Sequence, residues 1–250
     1  MSENRSESAS GLVSLVVPAM NEGDVLDAVV RELAAAPPFP VELILVVNGS
    51  RNGTPDVARR LAEEISAVRT LVYPEPLGKG GAILEGFREA RGAVIGFQDA
   101  DGPFAPAELW SLADIVRSGA ADCAISSKWL CQRYSEVTTY AAAGKRLFSR
   151  VLNLITRHVF GLPFADTQGG AKFLARRALA AVGDDFLCLG FDFDVELLYR
   201  LVRAGFRIEE RFLPCRNRST EFRHLQMGRM LLRMARLRLA PPRRSAEPGR

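Results

Sequence analysis

Two aspartates, Asp99 and Asp101, directly follow an apolar run that is typical of a buried strand. On a strand, residues i and i+2 point to the same face, so these two carboxylates can converge on one point. Like charges at that distance repel unless a cation neutralises them or one carboxyl stays protonated. The stretch QDADG therefore indicates a cation site. Asp and Gly are also common in ordinary turns, and the stretch alone does not decide between the two interpretations.

The composition is that of a folded protein. The chain has 250 residues, 48% of them hydrophobic, which suits one large α/β domain or two small ones. Four cysteines without CxxC spacing and two histidines indicate neither a zinc site nor a disulfide framework, which favours a reducing cytoplasm. We expect residues 1–10 to be a disordered leader and not a signal peptide. No apolar run approaches the ~20 residues that span a bilayer.

The positive charge is concentrated at the end of the sequence. Residues 221–250 carry a net charge of +6, whereas the whole chain carries +4, so the rest is slightly acidic. This distribution disfavours a nucleic-acid-binding fold and indicates an anionic partner for one segment. Apolar and Arg positions at helical spacing predict an amphipathic basic helix over 221–239, followed by a disordered tail over 240–250. Such a helix can lie on an anionic membrane with its arginines reaching the headgroups, or pack on the domain or a partner helix.

Apolar, β-branched runs alternate with helical patterns along the chain, which predicts a largely parallel sheet with helices on both faces. The expected strands are 12–17, 40–47, 69–74, 93–98 and 121–126, and the expected helices are 22–36, 54–65, 81–90 and 106–117. Further on we expect a long helix over 139–160, a strand at 171–175, a helix over 192–203 and a strand over 206–214. Ligands bind at the carboxyl ends of strands in open α/β sheets, and Asp99 follows such an end.

Six sequence segments carry a resemblance to a known family: VVPAMNEGD, VVNGSRNGT, YPEPLGKGGA, QDADG, DTQGGAKFL and GFDFDVELLYR. In this order they resemble the family 2 glycosyltransferases with a GT-A fold, and most of all the polyprenyl- and dolichyl-phosphate sugar synthases. The resemblance implies a GT-A domain over 11–220 with a Rossmann-like sheet. It also implies an inverting enzyme that moves a hexose from a nucleotide-sugar to a polyprenyl phosphate, with UDP-glucose favoured and GDP-mannose the second candidate donor.

Asp99 and Asp101 match the DxD motif of that family. The resemblance implies that they meet Mg²⁺ or Mn²⁺, which would hold the donor diphosphate and offset the charge on the leaving group. Pro103 stands where some relatives carry a glutamine as third ligand, and its side chain cannot coordinate. Asp194 matches an acid of the family and is the third candidate catalytic residue. Acids in the first turn of a helix also simply complement the helix dipole.

The resemblance also implies a set of donor-binding residues, namely Pro18, Ala19, Asn21, Glu22, Asn48, Ser50, Lys79, Gln168 and Lys172. Asn48 stands where the family commonly has an aspartate that contacts the base, and an amide can make such a contact too. The glycines from Gly78 to Gly81 are expected to let backbone amides approach an anion. Asn21 has the alternative role of capping the next helix, and Lys79 that of a solvated loop lysine.

Three residues are implied on the acceptor side, Lys128, Lys145 and Ser149. A phosphate monoester, with a second pKa near ~6, is already largely deprotonated at neutral pH, so its glycosylation requires cations more than a general base. The expected partners are thus a nucleotide-sugar, a polyprenyl phosphate and an anionic membrane surface, with the enzyme attached peripherally to the cytoplasmic face. Two alternatives remain open, a glycosyltransferase with a hydroxyl acceptor and a non-catalytic nucleotide-sugar-binding module. The oligomeric state is not indicated.

Overall fold

The computed structural model describes residues 11–127, 150, 153–216 and 227–239. Seven strands lie in this part of the chain: β1 Val13–Ala19, β2 Val41–Asn48, β3 Val68–Tyr73, β4 Val94–Gln98, β5 Cys123–Ser127, β6 Ala171–Ala175 and β7 Ile208–Phe212. The helices described there are α1 Gly23–Ala35, α2 Thr54–Glu64, α3 Gly78–Glu89, α4 Pro106–Arg117, α5 over 153–160, α6 Arg176–Val182, α7 Phe193–Arg203 and α8 Met227–Leu239.

The strands form one sheet in the order β3-β2-β1-β4-β6-β5-β7. All neighbours pair in parallel except β6, which runs antiparallel to both β4 and β5. The prediction of an α/β fold with a mostly parallel sheet is confirmed. Because the parallel strands end at the same edge, the segments after β1, β2, β3 and β4 meet there.

Two apolar cores cover the two faces of the sheet. Residues 43–47 of β2 are all completely buried, as expected for a parallel strand with helices on both sides. Helices α1, α2 and α4 contribute to the core on one face, and α3, α6 and α7 contribute to the core on the other. The sequence thus encodes a three-layer arrangement in which continuous apolar strands carry amphipathic helices.

Most predicted boundaries agree with the structure, and two differences have a physical cause. Helix α3 begins at Gly78, three residues before the predicted start, since the amides of Gly80 and Gly81 bond to Leu189 O (2.9 and 3.2 Å) and fix the first turn. Helix α6 was not predicted; it follows β6 without an intervening loop. Of the long helix predicted over 139–160, residues 153–160 are helical, and residues 128–149 and 151–152 lie outside the described residues.

Helix α8 packs on the domain, which was one of the alternatives to a helix that lies on a membrane. Met234 and Leu237 are buried in the same core as α3 and α7. The side chain of Arg233 makes two hydrogen bonds to Asp192, at 2.6 and 2.9 Å. The expectation that this arginine reaches lipid headgroups is wrong, because a buried carboxylate holds it. Among the described residues no helix has the length and apolar character needed to cross a bilayer.

Candidate active site at the carboxyl edge of the sheet

The two aspartates of QDADG lie in a tight turn and not on a strand. Strand β4 ends at Gln98, and the Gly102 amide donates to Asp99 O at 3.1 Å. Gly102 adopts φ 59°, a left-handed conformation that favours glycine. The Asp99 amide donates to Gly170 O at 3.1 Å, which ties the turn to the segment before β6. The turn, and not strand alternation, thus presents the two carboxylates at the sheet edge.

A third carboxylate, that of Glu22, lies near the pair. The pKa of Glu22 is raised by partial burial and then by the negative charges of Asp101 and Asp99. Negative charge therefore accumulates where β1 and β4 end. Hard carboxylate oxygens suit Mg²⁺ or Mn²⁺, which take few protein ligands and complete their shell with water and phosphate oxygens. Within the described residues no group of three or more His, Cys, Asp or Glu side chains is arranged to hold a metal. The carboxylates of Asp99 and Asp101 have the chemistry that a divalent cation prefers, and a metal there stays a prediction.

Lys79 provides a positive charge beside this cluster. Its ammonium lies 2.9 Å from Asp99 Oδ1 and 3.2 Å from Asp194 Oδ2, and only 10% of the side chain is exposed. Burial alone would lower the pKa of Lys79, but Asp194 and Asp99 raise it above its ordinary value. The alternative of a solvated loop lysine is therefore excluded. Lys79 is a fixed cation at the site.

Asp194 and Lys172 form a buried support beneath Lys79. Lys172 Nζ donates to Asp194 Oδ1 at 2.5 Å and to Gly169 O at 2.9 Å, and both side chains are at most 1% exposed. Burial would raise the pKa of Asp194, but Lys172 and Lys79 hold it below its ordinary value. Asp194 therefore holds Lys79 in position, and Lys172 is its second ion-pair partner. The catalytic role of Asp194 and the donor-binding role of Lys172 stay predictions.

The two acids that flank Asp194 also have specific partners. Asp192 is completely buried and accepts from Arg233 and from the Gly190 amide. Glu196 accepts from the Cys188 amide at 2.7 Å and from the guanidinium of the buried Arg200. Asp192 is the N-cap residue of α7 and Glu196 lies in its first turn, where negative charge suits the helix dipole, but these contacts show a larger role. Each acid holds a different part of the fold.

The loop 187–191 lies against the site and was missed by the sequence analysis. Its Leu189 carbonyl accepts the amides of Gly80 and Gly81, so those amides are not open to an anion as expected. Gln168 Nε2 donates to the Phe191 carbonyl at 3.3 Å. Leu187, Leu189 and Phe191 are 42–56% exposed. The only local signal is an apolar alternation, LCLGF, which also fits a short strand.

Hydrogen bonds join the segments after β1 and β2. The Asn21 amide donates to Ser50 Oγ at 3.0 Å, and Asn21 Oδ1 accepts the Arg51 amide at 2.8 Å. Helix α1 begins after Glu22 without a side-chain cap bond, so Asn21 does not cap it. Pro18 and Ala19 are the last two residues of β1. The predicted donor residues of these two segments therefore lie together at one edge of the sheet.

Asn48 is buried at the centre of this edge. Its Nδ2 donates to Ala19 O at 3.3 Å, and its Oδ1 accepts the Leu77 amide at 3.2 Å. The side-chain amide of Asn48 thus links the end of β2 to the end of β1 and to the segment after β3. Its contact with a nucleotide base stays a prediction. The acceptor-side residues Lys128, Lys145 and Ser149 lie outside the described residues.

Comparison with known proteins decides the family. The model of "Glycosyl transferase family 2" matches residues 14–183. This chain belongs to glycosyltransferase family 2. Glycosyltransferase AglD of Haloferax volcanii is 32% identical over 79% of this chain, although the match spans only 32% of that longer protein. Polyprenol monophosphomannose synthase of Mycolicibacterium smegmatis is 30% identical, over 78% of this chain and 74% of its own length.

Solved structures show the same fold. Glucosyl-3-phosphoglycerate synthase from Mycobacterium tuberculosis, in complex with UDP, superimposes with a TM-score of 0.68 over 96% of this glycosyltransferase and 84% of that chain, at 21% identity. The expected GT-A architecture is thereby confirmed. A dolichyl-phosphate beta-glucosyltransferase of Drosophila melanogaster is 30% identical over 77% of this chain and 63% of its own length.

Proposed function

We propose that this glycosyltransferase moves a hexose from a nucleotide-sugar to a polyprenyl phosphate, with UDP-glucose as the favoured donor. The relatives named above support a polyprenyl-phosphate acceptor, and they include both glucosyl- and mannosyltransferases. The M. tuberculosis synthase has been crystallised with Mn²⁺ and UDP-glucose, which supports the donor class.

The observation that carries the proposal is the turn that presents Asp99 and Asp101 beside Lys79. A nucleotide-sugar carries a diphosphate that needs positive charge in a site that is rich in carboxylates. Asp99 and Asp101 would hold Mg²⁺ or Mn²⁺, which when bound offsets the charge that develops on the leaving nucleoside diphosphate. Lys79 adds a fixed positive charge 2.9 Å from Asp99. The chain's own part is to orient the diphosphate before transfer begins.

On the acceptor side, the nucleophile is a phosphate oxygen. Since this oxygen is already ionised at neutral pH, no general base has to remove a proton, and cations must hold it in line with the donor. Lys128, Lys145 and Ser149 are the residues that we assign to this task. A single displacement at the sugar carbon inverts its configuration, so the product is the opposite anomer to the donor.

We also propose that the enzyme attaches to the anionic cytoplasmic face of a membrane through exposed apolar side chains near the site. Phe191 and Leu232 are 56% and 55% exposed. The adjacent residues, Asp192 and Arg233, form an ion pair, so loop 187–191 and helix α8 meet. Arg236 is exposed on the same helix and suits anionic headgroups. A surface of this kind would bring the site to an acceptor that resides in the bilayer.

The alternative is a phosphorylated soluble acceptor, because the solved structures with this fold include glucosyl-3-phosphoglycerate synthase. A transfer assay separates the two. Purified enzyme is given labelled UDP-glucose or GDP-mannose with a short polyprenyl phosphate, the matching polyprenol, or 3-phosphoglycerate. We expect product from the polyprenyl phosphate alone, stopped by a chelator and restored by Mg²⁺ or Mn²⁺.

Two variants make the assay specific. Asp101→Ala removes one expected metal ligand, and we expect it to reduce turnover by at least about 100-fold. Asp114→Ala removes an exposed carboxylate on α4 and serves as the matched control, with normal turnover expected. Transfer to 3-phosphoglycerate only would refute the lipid acceptor. Donor binding without any transfer would favour a binding module.

A further inference from the structure

Lysine is rare in this chain, and both lysines in the part that the structure describes lie at the site. Only four of the 33 basic side chains are lysines, at positions 79, 128, 145 and 172. Elsewhere buried carboxylates pair with arginine, as in Asp192 with Arg233 and Glu196 with Arg200. A guanidinium is a planar fork that grips a carboxylate at two points, whereas an ammonium is a compact point charge. A compact cation at position 79 suits an ion pair with one anion that is later replaced by an ion pair with another.

Two ammonium groups and two carboxylates around Lys79 alternate in one series of ion pairs. Lys172 bonds one oxygen of Asp194, Lys79 bonds the other, and Lys79 also bonds Asp99 Oδ1. Asp194 is 1% exposed and Asp99 is 37% exposed. The Lys172–Asp194 end of this series is therefore buried, and the Asp99 end faces the candidate metal site. Asp99 already has a counter-cation supplied by the protein.

We propose that Lys79 is a built-in counter-cation of the Asp99–Asp101 site, which keeps divalent cations weakly bound until a nucleoside diphosphate arrives. A divalent cation at Asp99 has to compete with the ammonium for the same carboxylate. A diphosphate gives Lys79 a new anionic partner and gives the cation further oxygen ligands. Lys79 keeps its place in both states because Asp194 still holds it. The inference rests on the proposed function in assuming a metal at Asp99 and Asp101.

The consequence is coupling between two ligands, which can be measured without turnover. Mn²⁺ binding to the full chain is followed by electron paramagnetic resonance of free Mn²⁺, with and without UDP. For the wild type we expect UDP to tighten Mn²⁺ binding by about tenfold or more, within the usual range of coupling between sites. For Lys79→Met we expect Mn²⁺ alone to bind about tenfold tighter than in the wild type, with the effect of UDP reduced to about threefold or less.

Two further variants sharpen the experiment. Lys79→Gln is also neutral but can still donate a hydrogen bond, and we expect it to change Mn²⁺ binding in the same direction. Arg59→Met removes one positive charge from an exposed ion pair on α2 and controls for net charge, so its Mn²⁺ binding should equal that of the wild type. Circular dichroism and thermal unfolding check that each variant is folded, which we expect because Asp194 keeps Lys172.

The outcomes are distinct. Equal Mn²⁺ affinity of wild type and both Lys79 variants in the absence of UDP would overturn the inference, while the proposed metal site stands. The wild type alone gives an independent check, since equal Mn²⁺ affinity with and without UDP also overturns it. If the wild type binds no Mn²⁺ even with UDP, both the inference and the metal-dependent function are wrong.

Discussion

Lys172 Nζ lies 2.5 Å from Asp194 Oδ1, and neither side chain is more than 1% exposed. Two full charges are thus enclosed below the carboxyl edge of the sheet, one on β6 and one on α7. Such a pair is stable because each partner compensates the other and the remaining hydrogen-bonding capacity is used. Here Gly169 O takes a further Lys172 hydrogen and Lys79 takes the second oxygen of Asp194. The pair fixes α7 against β6.

Removal of one partner should be costly. We predict that Lys172→Met lowers the free energy of unfolding by about 3–5 kcal/mol, because a buried carboxylate loses its closest counter-charge. Chemical denaturation measures the difference. Arg59→Met, which breaks an exposed ion pair, should leave the unfolding free energy nearly unchanged. A stable Lys172→Met protein would show that Lys79 alone suffices for Asp194.

The stability of the protein should fall at acid pH partly through Asp194. Its pKa in the folded state lies below the ordinary value of 3.8, since Lys172 and Lys79 outweigh the effect of burial. The folded state therefore binds this proton less readily than the unfolded state. The stabilisation is complete above about pH 4 and is lost as the pH falls through the folded pKa.

We predict that Asp194→Asn, measured by chemical denaturation between pH 7 and pH 2, is less stable at pH 7 and shows a shallower acid loss. One proton corresponds to a slope of about 1.4 kcal/mol per pH unit, which is the largest difference expected between the two proteins. Asp114→Asn, an exposed carboxylate on α4, is the control and should keep the wild-type slope. Parallel curves for Asp194→Asn and wild type would contradict this prediction.

The attachment of helix α8 can be tested by substituting two arginines that lie one turn apart on this helix. We predict that Arg233→Ala costs about 2–3 kcal/mol of unfolding free energy, since completely buried Asp192 loses two charged hydrogen bonds. Arg236→Ala, an exposed arginine on that helix, should change stability little. Equal effects of both substitutions would mean that the ion pair with Asp192 contributes nothing specific.

Membrane attachment should depend on exposed apolar side chains and not on the whole helix. Because Met234 and Leu237 belong to the core, deletion of α8 would disturb the fold, so point variants are the better test. We predict that Phe191→Glu combined with Leu232→Glu abolishes sedimentation with anionic liposomes and leaves thermal unfolding unchanged. Val72→Glu, at a 37% exposed position on the edge strand β3, is the control that should still sediment. Sedimentation of the double variant at the wild-type level would refute this surface.

The sequence predicted those features that local patterns encode. Continuous apolar runs gave β1 to β5, and Pro106 at a first helical position gave α4 with both ends correct. The direction of β6 has no local signal, because the pattern of a five-residue strand does not indicate whether it runs parallel or antiparallel to its neighbours. Its antiparallel place between β4 and β5 depends on the path of the preceding chain, which no periodicity reports.

In the site, too, local motifs were predictable from the sequence and long-range contacts were not. The motifs named Asp99, Asp101 and Lys79, and Lys79 Nζ lies 2.9 Å from Asp99 Oδ1, while their roles stay predictions. The ion pair of Asp194 with Lys79 was not predicted, because Lys79 is 115 positions away in sequence. In the same way, the charge pattern of α8 predicted a basic helix but not that Arg233 would find Asp192, 41 positions earlier. Long-range pairing of buried charges is decided by packing, and a single sequence carries no record of it.

The hydrogen bonds of Asn48 determine what an aspartate at position 48 would change in this enzyme. Its amide donates to the Ala19 carbonyl and accepts the Leu77 amide. An aspartate, the residue common at this position in the family, has no N–H to offer, and its carboxylate would face the Ala19 carbonyl with oxygen against oxygen. Grafting the aspartate alone from a relative would therefore break the contact between two neighbouring segments. Hydrogen bonds join residues 18–22, 48–51 and 76–79, so we predict that a graft from a relative keeps these contacts only when all three segments are exchanged together.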